Sequence, residues 1–169
     1  MHSALSLHTF EPAQAHLTDD QTGFCYLLVH TKASRCVLVD PDEAYLEQIC
    51  AYVRQHELCL SWILHTRLAS CQMHSAAKLK SVHICAQSAI ADSPNLPPDE
   101  CRRFDRVLQP HETIPLGAIS GRARDAQGAE CGQSQYLFDR YLFSGDSLQP
   151  ADFSGCCHVE MLPRQRLPH

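Results

Sequence analysis

Short apolar runs separated by polar turns dominate the first part of the chain. Residues 5–10, 24–29 and 36–39 are such runs, and each is short enough to predict a strand. The polar residues 31–35 between the second and third runs predict a hairpin. A further apolar run at residues 60–64 predicts another strand.

A helical pattern of apolar positions lies between these strands. From residue 42 to about residue 56, apolar side chains recur at helical spacing and predict an amphipathic helix. Asp40 is a residue type that caps helices, Pro41 suits the first helical position, and Glu43 lies three residues beyond this predicted cap. A second helix is predicted to open near Met73.

The second half of the chain contains mainly strand patterns. Residues 84–86 predict a short strand, and the proline-rich residues 93–100 predict a loop without regular structure. The remaining strand predictions cover the segment that ends at Gly117 and residues 119–124, 135–138 and 141–143. This order predicts one domain over residues 1–169, of the α/β or α+β class.

Composition excludes several functional classes. The formal net charge is −5 with a pI near 6.1, so no basic field favours nucleic acid. No apolar run approaches the roughly 20 residues of a membrane helix, and the first residues lack a signal-peptide pattern. The sequence has 10 cysteines but no CxxC pair, which favours reduced thiols in a cytoplasmic protein.

Residues 62–79 carry a specific pattern: a strand at residues 62–65, a polar loop at residues 66–72, then a helix start rich in small residues. This segment resembles the first metal-binding motif of the metallo-β-lactamase superfamily, closest to its persulfide dioxygenase and glyoxalase II branches. That motif reads T-H-x-H-x-D-H, and Thr66 matches its threonine. The helix start of the motif is also matched in this chain. The motif's four metal-facing positions are not matched, because they fall on Arg67, Ala69, Cys71 and Gln72.

Two later segments extend the resemblance. Residues 125–132 keep both glycines of the family's second metal loop, Gly128 and Gly132, but Ala129 stands at its histidine position. Residues 142–148, LFSGDSL, resemble the family's L-F-T-G-D-[ST]-L segment and retain its metal-binding aspartate as Asp146. The resemblance covers residues 5–150 and implies an αββα sandwich, with two mixed β-sheets flanked by helices.

Among the matched metal-facing positions, only Asp146 keeps the family's ligand. One carboxylate does not hold a metal with useful affinity, and the fixed charge of Arg67 repels a cation. We therefore expect no metal cofactor, and hypothesise that Arg67 is the countercharge of Asp146. The resulting prediction is a catalytically degenerate protein of this fold, a non-hydrolytic binding or assembly module.

Two other functions stay open at this point. A rebuilt site would use Cys71 as nucleophile, or zinc or iron held among His65, Cys71, His74 and Asp146. The resemblance implies glutathione-type thiols, thioesters or persulfides as substrates of such an enzyme. A cysteine-based sulfur carrier or redox sensor would instead use Cys71 or Cys131 as its reactive thiol.

For most candidate residues a structural role is the simpler interpretation. His65 and His74 read as core or surface histidines, Cys71 as a filler cysteine, and Gln72 as a hydrogen-bonding residue of the loop. Asp146 also suits a purely structural turn, and residues 156–158 read as an ordinary part of the tail.

The chain ends at residue 169, before the last strand–helix unit and final histidine ligand that the resemblance implies. We therefore expect a bare sheet edge to be covered. The candidates are a homodimer, a protein partner, or the divergent tail at residues 150–169.

Overall fold

The computed structural model describes residues 4–10, 24–94, 96–125, 134–145 and 158–161. Within these ranges the chain forms two β-sheets of six and five strands. The first sheet contains, in spatial order, β1 (Leu5–Phe10), β2 (Cys25–His30), β3 (Arg35–Val39), β4 (Cys59–His65), β5 (Gln87–Ala91) and β6 (Arg106–Leu108). The second sheet contains β7 (Thr113–Leu116), β8 (Ile119–Asp125), β9 (Ser134–Phe138), β10 (Tyr141–Gly145) and β11 (His158–Met161).

The first sheet is mixed and the second is antiparallel. Strands β1 to β3 form an antiparallel meander, and β3 to β6 run parallel. Parallel neighbours need crossover connections, and helices supply them. The helices are α1 (Leu46–Gln55), which follows the 3-10 turn Glu43–Tyr45, then α2 (Ser70–Val82) and the one-turn α3 (Pro98–Cys101).

Alternation of side chains along the strands of the first sheet creates two separate cores. One lies between the sheets and contains Leu28, Trp62 and Phe138. The other lies between the first sheet and the helices and contains Ile49 and Leu79. The two-sheet α/β architecture predicted from the sequence is confirmed, and in the described part of the chain helices cover the outer face of the first sheet.

Several predicted elements need correction. The strand predicted at residues 84–86 is wrong: Ile84 is 87% exposed in a turn, and β5 begins at Gln87. Small residues such as Ala89 and Ala91 form this strand, and they give a weak strand signal although both are buried between the sheets. The proline-rich loop also contains regular structure, because Pro98 begins α3, where a missing N–H costs nothing.

The predicted helix cap at Asp40 is also wrong. Asp42 performs that role, and its carboxylate accepts a 2.9 Å hydrogen bond from the Ala44 backbone N–H. Asp40 has a left-handed backbone (φ 53°) and is 1% exposed. Its Oδ1 accepts from the Thr66 backbone N–H at 2.8 Å, and its Oδ2 accepts from the Thr66 hydroxyl at 2.6 Å. Asp40 therefore joins the end of β3 to the end of β4.

The tail contributes a strand to the second sheet. Residues 158–161 form β11 and pair antiparallel with β10, and the covering of a sheet edge by residues 150–169 as a whole stays a prediction. A homodimer and a protein partner remain expectations. None of the described helices has the length and apolar character needed to cross a membrane.

His65 is the last residue of β4 and is completely buried. Its ring packs edge-on against Phe104 at a centroid distance of 5.1 Å, and neither ring nitrogen has a hydrogen-bond partner among the described residues. Burial lowers the pKa of His65 to about 4, and the neighbouring Gln72 side chain opposes this shift only in part. The core-histidine interpretation is therefore confirmed, and His65 is neutral at physiological pH.

We predict that the paired bonds of Asp40 stabilise the fold measurably. Thr66→Val removes the hydroxyl at nearly constant volume and leaves Asp40 Oδ2 without this donor. Urea unfolding should show a loss of about 1.5–3 kcal/mol. Thr66→Ser retains the hydroxyl and should lose much less. Equal losses in the two variants would contradict the assignment.

We also predict that His65 makes the protein less stable in acid. Its pKa is about 4 in the native state and about 6.5 in the unfolded state. Between these values the unfolded chain binds a proton that the native chain does not, so stability falls as the pH drops from about 6.5 towards 4, by about 3 kcal/mol in total. His65→Leu should lack this contribution. Urea unfolding of the unaltered protein and of His65→Leu at several pH values measures this contribution. If the free energy of unfolding has the same pH dependence in both proteins, the prediction is contradicted.

Candidate functional site

The candidate site is built around Thr66, the first residue after β4. Beyond its bonds to Asp40, the Thr66 carbonyl accepts a 2.6 Å hydrogen bond from the Ser134 backbone N–H at the start of β9. At the end of β10, Gly145 packs so closely on the threonine that an added Cβ would lie 2.6 Å from Thr66 Oγ1. Gly145 also has φ 55°, which favours glycine. We call these four residues, Asp40, Thr66, Ser134 and Gly145, the Thr66 junction.

The Thr66 junction brings together Thr66, Ser134 and Gly145, which lie within or beside the three motif segments of the sequence. Arg67 follows Thr66 directly, Asp146 follows Gly145 directly, and residues 126–133 lead into Ser134. Ala129, Cys131 and Asp146 themselves lie outside the described residues. The positions that flank them nevertheless meet at one edge, where the carboxyl ends of β4 and β5 face β9 and β10.

A second set of hydrogen bonds fixes the same edge. The Tyr136 hydroxyl on β9 donates to the His65 carbonyl at 2.6 Å and accepts from the Ala91 backbone N–H at 3.0 Å. The Ser134 hydroxyl donates to the Ala91 carbonyl at 3.2 Å. Burial raises the pKa of Tyr136 far above its usual value, so its hydroxyl stays protonated and able to donate. These bonds tie the second sheet to the ends of β4 and β5.

Helix α2 begins earlier than the sequence predicted, and this changes the loop. It starts at Ser70 rather than near Met73, so the loop is only residues 66–69. Ala69 has extended backbone at the N-cap position and offers no side-chain cap. Cys71 and Gln72 therefore lie in the first helical turn, where neighbouring side chains point in different directions.

The structure separates the candidate residues of this turn. Cys71 is exposed, whereas Gln72 is 4% exposed and its Oε1 has no hydrogen-bond partner among the described residues. His74 is exposed on the same helix, and His65 lies in the interior. Of the candidate metal site among His65, Cys71, His74 and Asp146, the first three residues are not brought together, and Asp146 lies outside the described residues. The described part of the chain contains no group of three or more histidine, cysteine or acidic side chains placed to hold an ion.

At the four positions that the sequence resemblance aligns with metal ligands, the side chains do not suit zinc or iron. Arg67 is a half-buried permanent cation, and Ala69 has no lone pair. The Gln72 amide is a weak ligand for metals that prefer imidazole, thiolate and carboxylate. Cys71 offers the one thiol, but its side chain faces solvent.

All seven described cysteines are free. Burial raises the pKa of Cys36 to about 12 and raises the pKa of Cys25 further. Both thiols are therefore protonated and unreactive at physiological pH. Cys71 and Cys85 are exposed and accessible to reagents.

Sequence reasoning found the segments of the site but missed the residues that hold them together. Asp40 is predicted to cap a helix, Tyr136 is predicted only as a strand residue, and Ser134 lies just outside the strand predicted at residues 135–138.

The sequence matches no family model and no curated protein. The structure, in contrast, is similar to solved metallo-β-lactamase-type proteins. ETHE1 from Myxococcus xanthus superimposes with a TM-score of 0.65 at 16% identity over 88% of this chain and 63% of its own. A metallo-beta-lactamase from Staphylococcus aureus subsp. aureus COL gives a TM-score of 0.60 at 16% identity, over 85% and 42% of the two chains.

The metallo-beta-lactamase IND-7 gives a TM-score of 0.63 at 9% identity, over 89% of this chain and 70% of its own. The chain thus spans less than two thirds of ETHE1 and of the S. aureus protein. At these identities the similarity establishes architecture rather than activity. This chain has the metallo-β-lactamase fold.

Proposed function

We propose that this chain is a catalytically inactive protein of the metallo-β-lactamase fold that serves as a binding or assembly module. The observation that carries the proposal is Arg67, a cation that follows the intact Thr66 junction directly. The frame that positions the family's metal motif is retained, and the side chains that would hold the metal are not.

The argument depends on charge and donor type. A zinc or iron site gathers imidazoles and carboxylates on one face so that several lone pairs converge on a cation. At the corresponding positions this chain has a guanidinium, a methyl group, a solvent-facing thiol and a buried amide. A guanidinium does not lose its proton near neutral pH, so it opposes a metal ion at every relevant pH.

We further propose that Arg67 neutralises Asp146. The Cβ that Gly145 lacks would contact the Thr66 hydroxyl, and Arg67 and Asp146 are the next residues on these two segments. If the Asp146 carboxylate is removed from water, it needs a countercharge. The planar guanidinium supplies one and also donates paired hydrogen bonds to a carboxylate.

Retention of the frame favours a role for the protein surface. The Thr66 junction is made of bonds between protein groups, so it persists without an ion and holds the surrounding loops in place. Such a scaffold presents a defined surface to a partner even when it performs no chemistry.

We predict that the purified protein holds no functional metal. After supplementation with zinc and iron and passage over a desalting column, mass spectrometry of metals should show well below one ion per chain. Thioesterase and persulfide-oxidation rates should equal the buffer background. The matched control carries Arg67→His, Ala69→His, Cys71→Asp, Gln72→His and Ala129→His, retains Asp146, and should gain bound metal. A stoichiometric ion in the unaltered protein, with turnover, would overturn the proposal.

A double-mutant cycle tests the proposed pair. Arg67→Gln and Asp146→Asn should each destabilise the protein in urea unfolding, because each leaves the other charge uncompensated. The double variant should recover part of the loss, with a coupling energy of about 1–3 kcal/mol. High salt should change the coupling little if the pair is enclosed. Additive single losses would show that Arg67 and Asp146 act independently.

A further inference from the structure

A second cleft lies at the opposite end of the first sheet, where β3, β4 and β5 begin. Its volume is about 390 Å³, within the range of small-molecule sites. It lies about five residues back along β4 from the Thr66 junction, or roughly 16 Å. The residues that define it are Arg35, Cys59, Ser61, Trp62, Cys85 and Pro115.

A β-bulge shapes this cleft. Cys36 of β3 pairs with Leu60, but the next residue, Val37, pairs with Trp62, so Ser61 is the extra residue in β4. Bulges of this kind redirect side chains and are frequent beside functional sites. Here the bulge allows Cys59, Ser61 and Trp62 to line the same cleft.

Arg35 provides a positive charge at the cleft wall. Its side chain donates a 3.3 Å hydrogen bond to the Ser61 hydroxyl, and it forms no ion pair with any residue in the described ranges. No carboxylate is among the described residues that line the cleft. Because no described acidic side chain pairs with it, the exposed Arg35 guanidinium is suited to a carboxylate from outside.

A thiol lies next to this cation. The Ser61 hydroxyl is 4.0 Å from the Cys59 sulfur, so Ser61 connects Arg35 to Cys59. Cys59 is half-buried, and on the other side its carbonyl accepts a 3.7 Å contact from the Cys36 thiol. Cys36 itself is completely buried, and burial raises its pKa to about 12, so Cys59 is the reactive candidate of this pair.

Trp62 and Pro115 form another part of the cleft lining. The Trp62 indole N–H donates to the Pro115 carbonyl at 3.0 Å, which ties β4 to β7. Trp62 is only 7% exposed, so most of its ring belongs to the core between the sheets.

We propose that this cleft binds a small disulfide that carries a carboxylate, and that Cys59 exchanges with it. The carboxylate pairs with Arg35. The Cys59 thiolate then attacks one sulfur of the ligand, a protein–ligand disulfide forms, and the ligand's other half leaves as a thiolate that takes up a proton. The ligand disulfide is the oxidant, so the exchange needs no other reagent. This inference is independent of the proposed function at the Thr66 junction.

The test compares an anionic with a neutral disulfide. The full chain is treated with 5,5′-dithiobis(2-nitrobenzoate) or with 4,4′-dithiodipyridine, and labelling at each cysteine is followed by peptide mass spectrometry. Arg35→Gln should lower the anionic-to-neutral rate ratio at Cys59 about fivefold, the factor for opposite charges in contact at an exposed site. Arg35→Lys should retain most of the ratio, and 1 M salt should reduce it.

Cysteine variants complete the assignment. Cys85 also lines the cleft and is exposed, so Cys85→Ser should leave the Arg35-dependent labelling intact, whereas Cys59→Ser should abolish it. If Arg35→Gln leaves the anionic-to-neutral rate ratio at Cys59 unchanged, the proposal is overturned. If Cys85→Ser abolishes the Arg35-dependent labelling and Cys59→Ser leaves it intact, the choice of Cys59 is overturned.

Discussion

The paired hydrogen bonds from Asp40 to Thr66 are the constraint on which the candidate site depends. Asp40 follows β3 and Thr66 follows β4, and the two strands are parallel neighbours, so a single buried carboxylate fixes both ends. The Asp40 backbone N–H adds a 2.9 Å bond to the Leu64 carbonyl. With Thr66 held in this way, Ser134 and Gly145 of the second sheet have a fixed surface to pack against.

The hydrogen bonds described for the Thr66 junction join protein groups, and they fix the start of the loop that contains Arg67 and Ala69. The same edge is reinforced by Tyr136, whose hydroxyl bonds to the backbones of β4 and β5.

The two ends of β4 offer different chemistry. At its carboxyl end, burial lowers the pKa of His65 and keeps its ring neutral, and the cation of Arg67 lies two residues further on. At its amino end, a bulge at Ser61 places a half-buried thiol near the cation of Arg35. The carboxyl end of β4 thus leads into the hydrogen-bonded Thr66 junction, and its amino end lines a thiol-containing cleft beside Arg35.

The sequence by itself determined most strands, the first hairpin, the two main helices and the identity of the motif segments, because hydrophobic periodicity and short motifs are local properties. It did not determine that Asp40 bonds to Thr66 rather than capping a helix, that α2 begins at Ser70, or that β5 is built from small residues after the exposed Ile84. It also gave no indication that Arg35 and Cys59 line one cleft. Those features depend on which strands become neighbours and in what register, and only the packing of the two sheets against each other decides that.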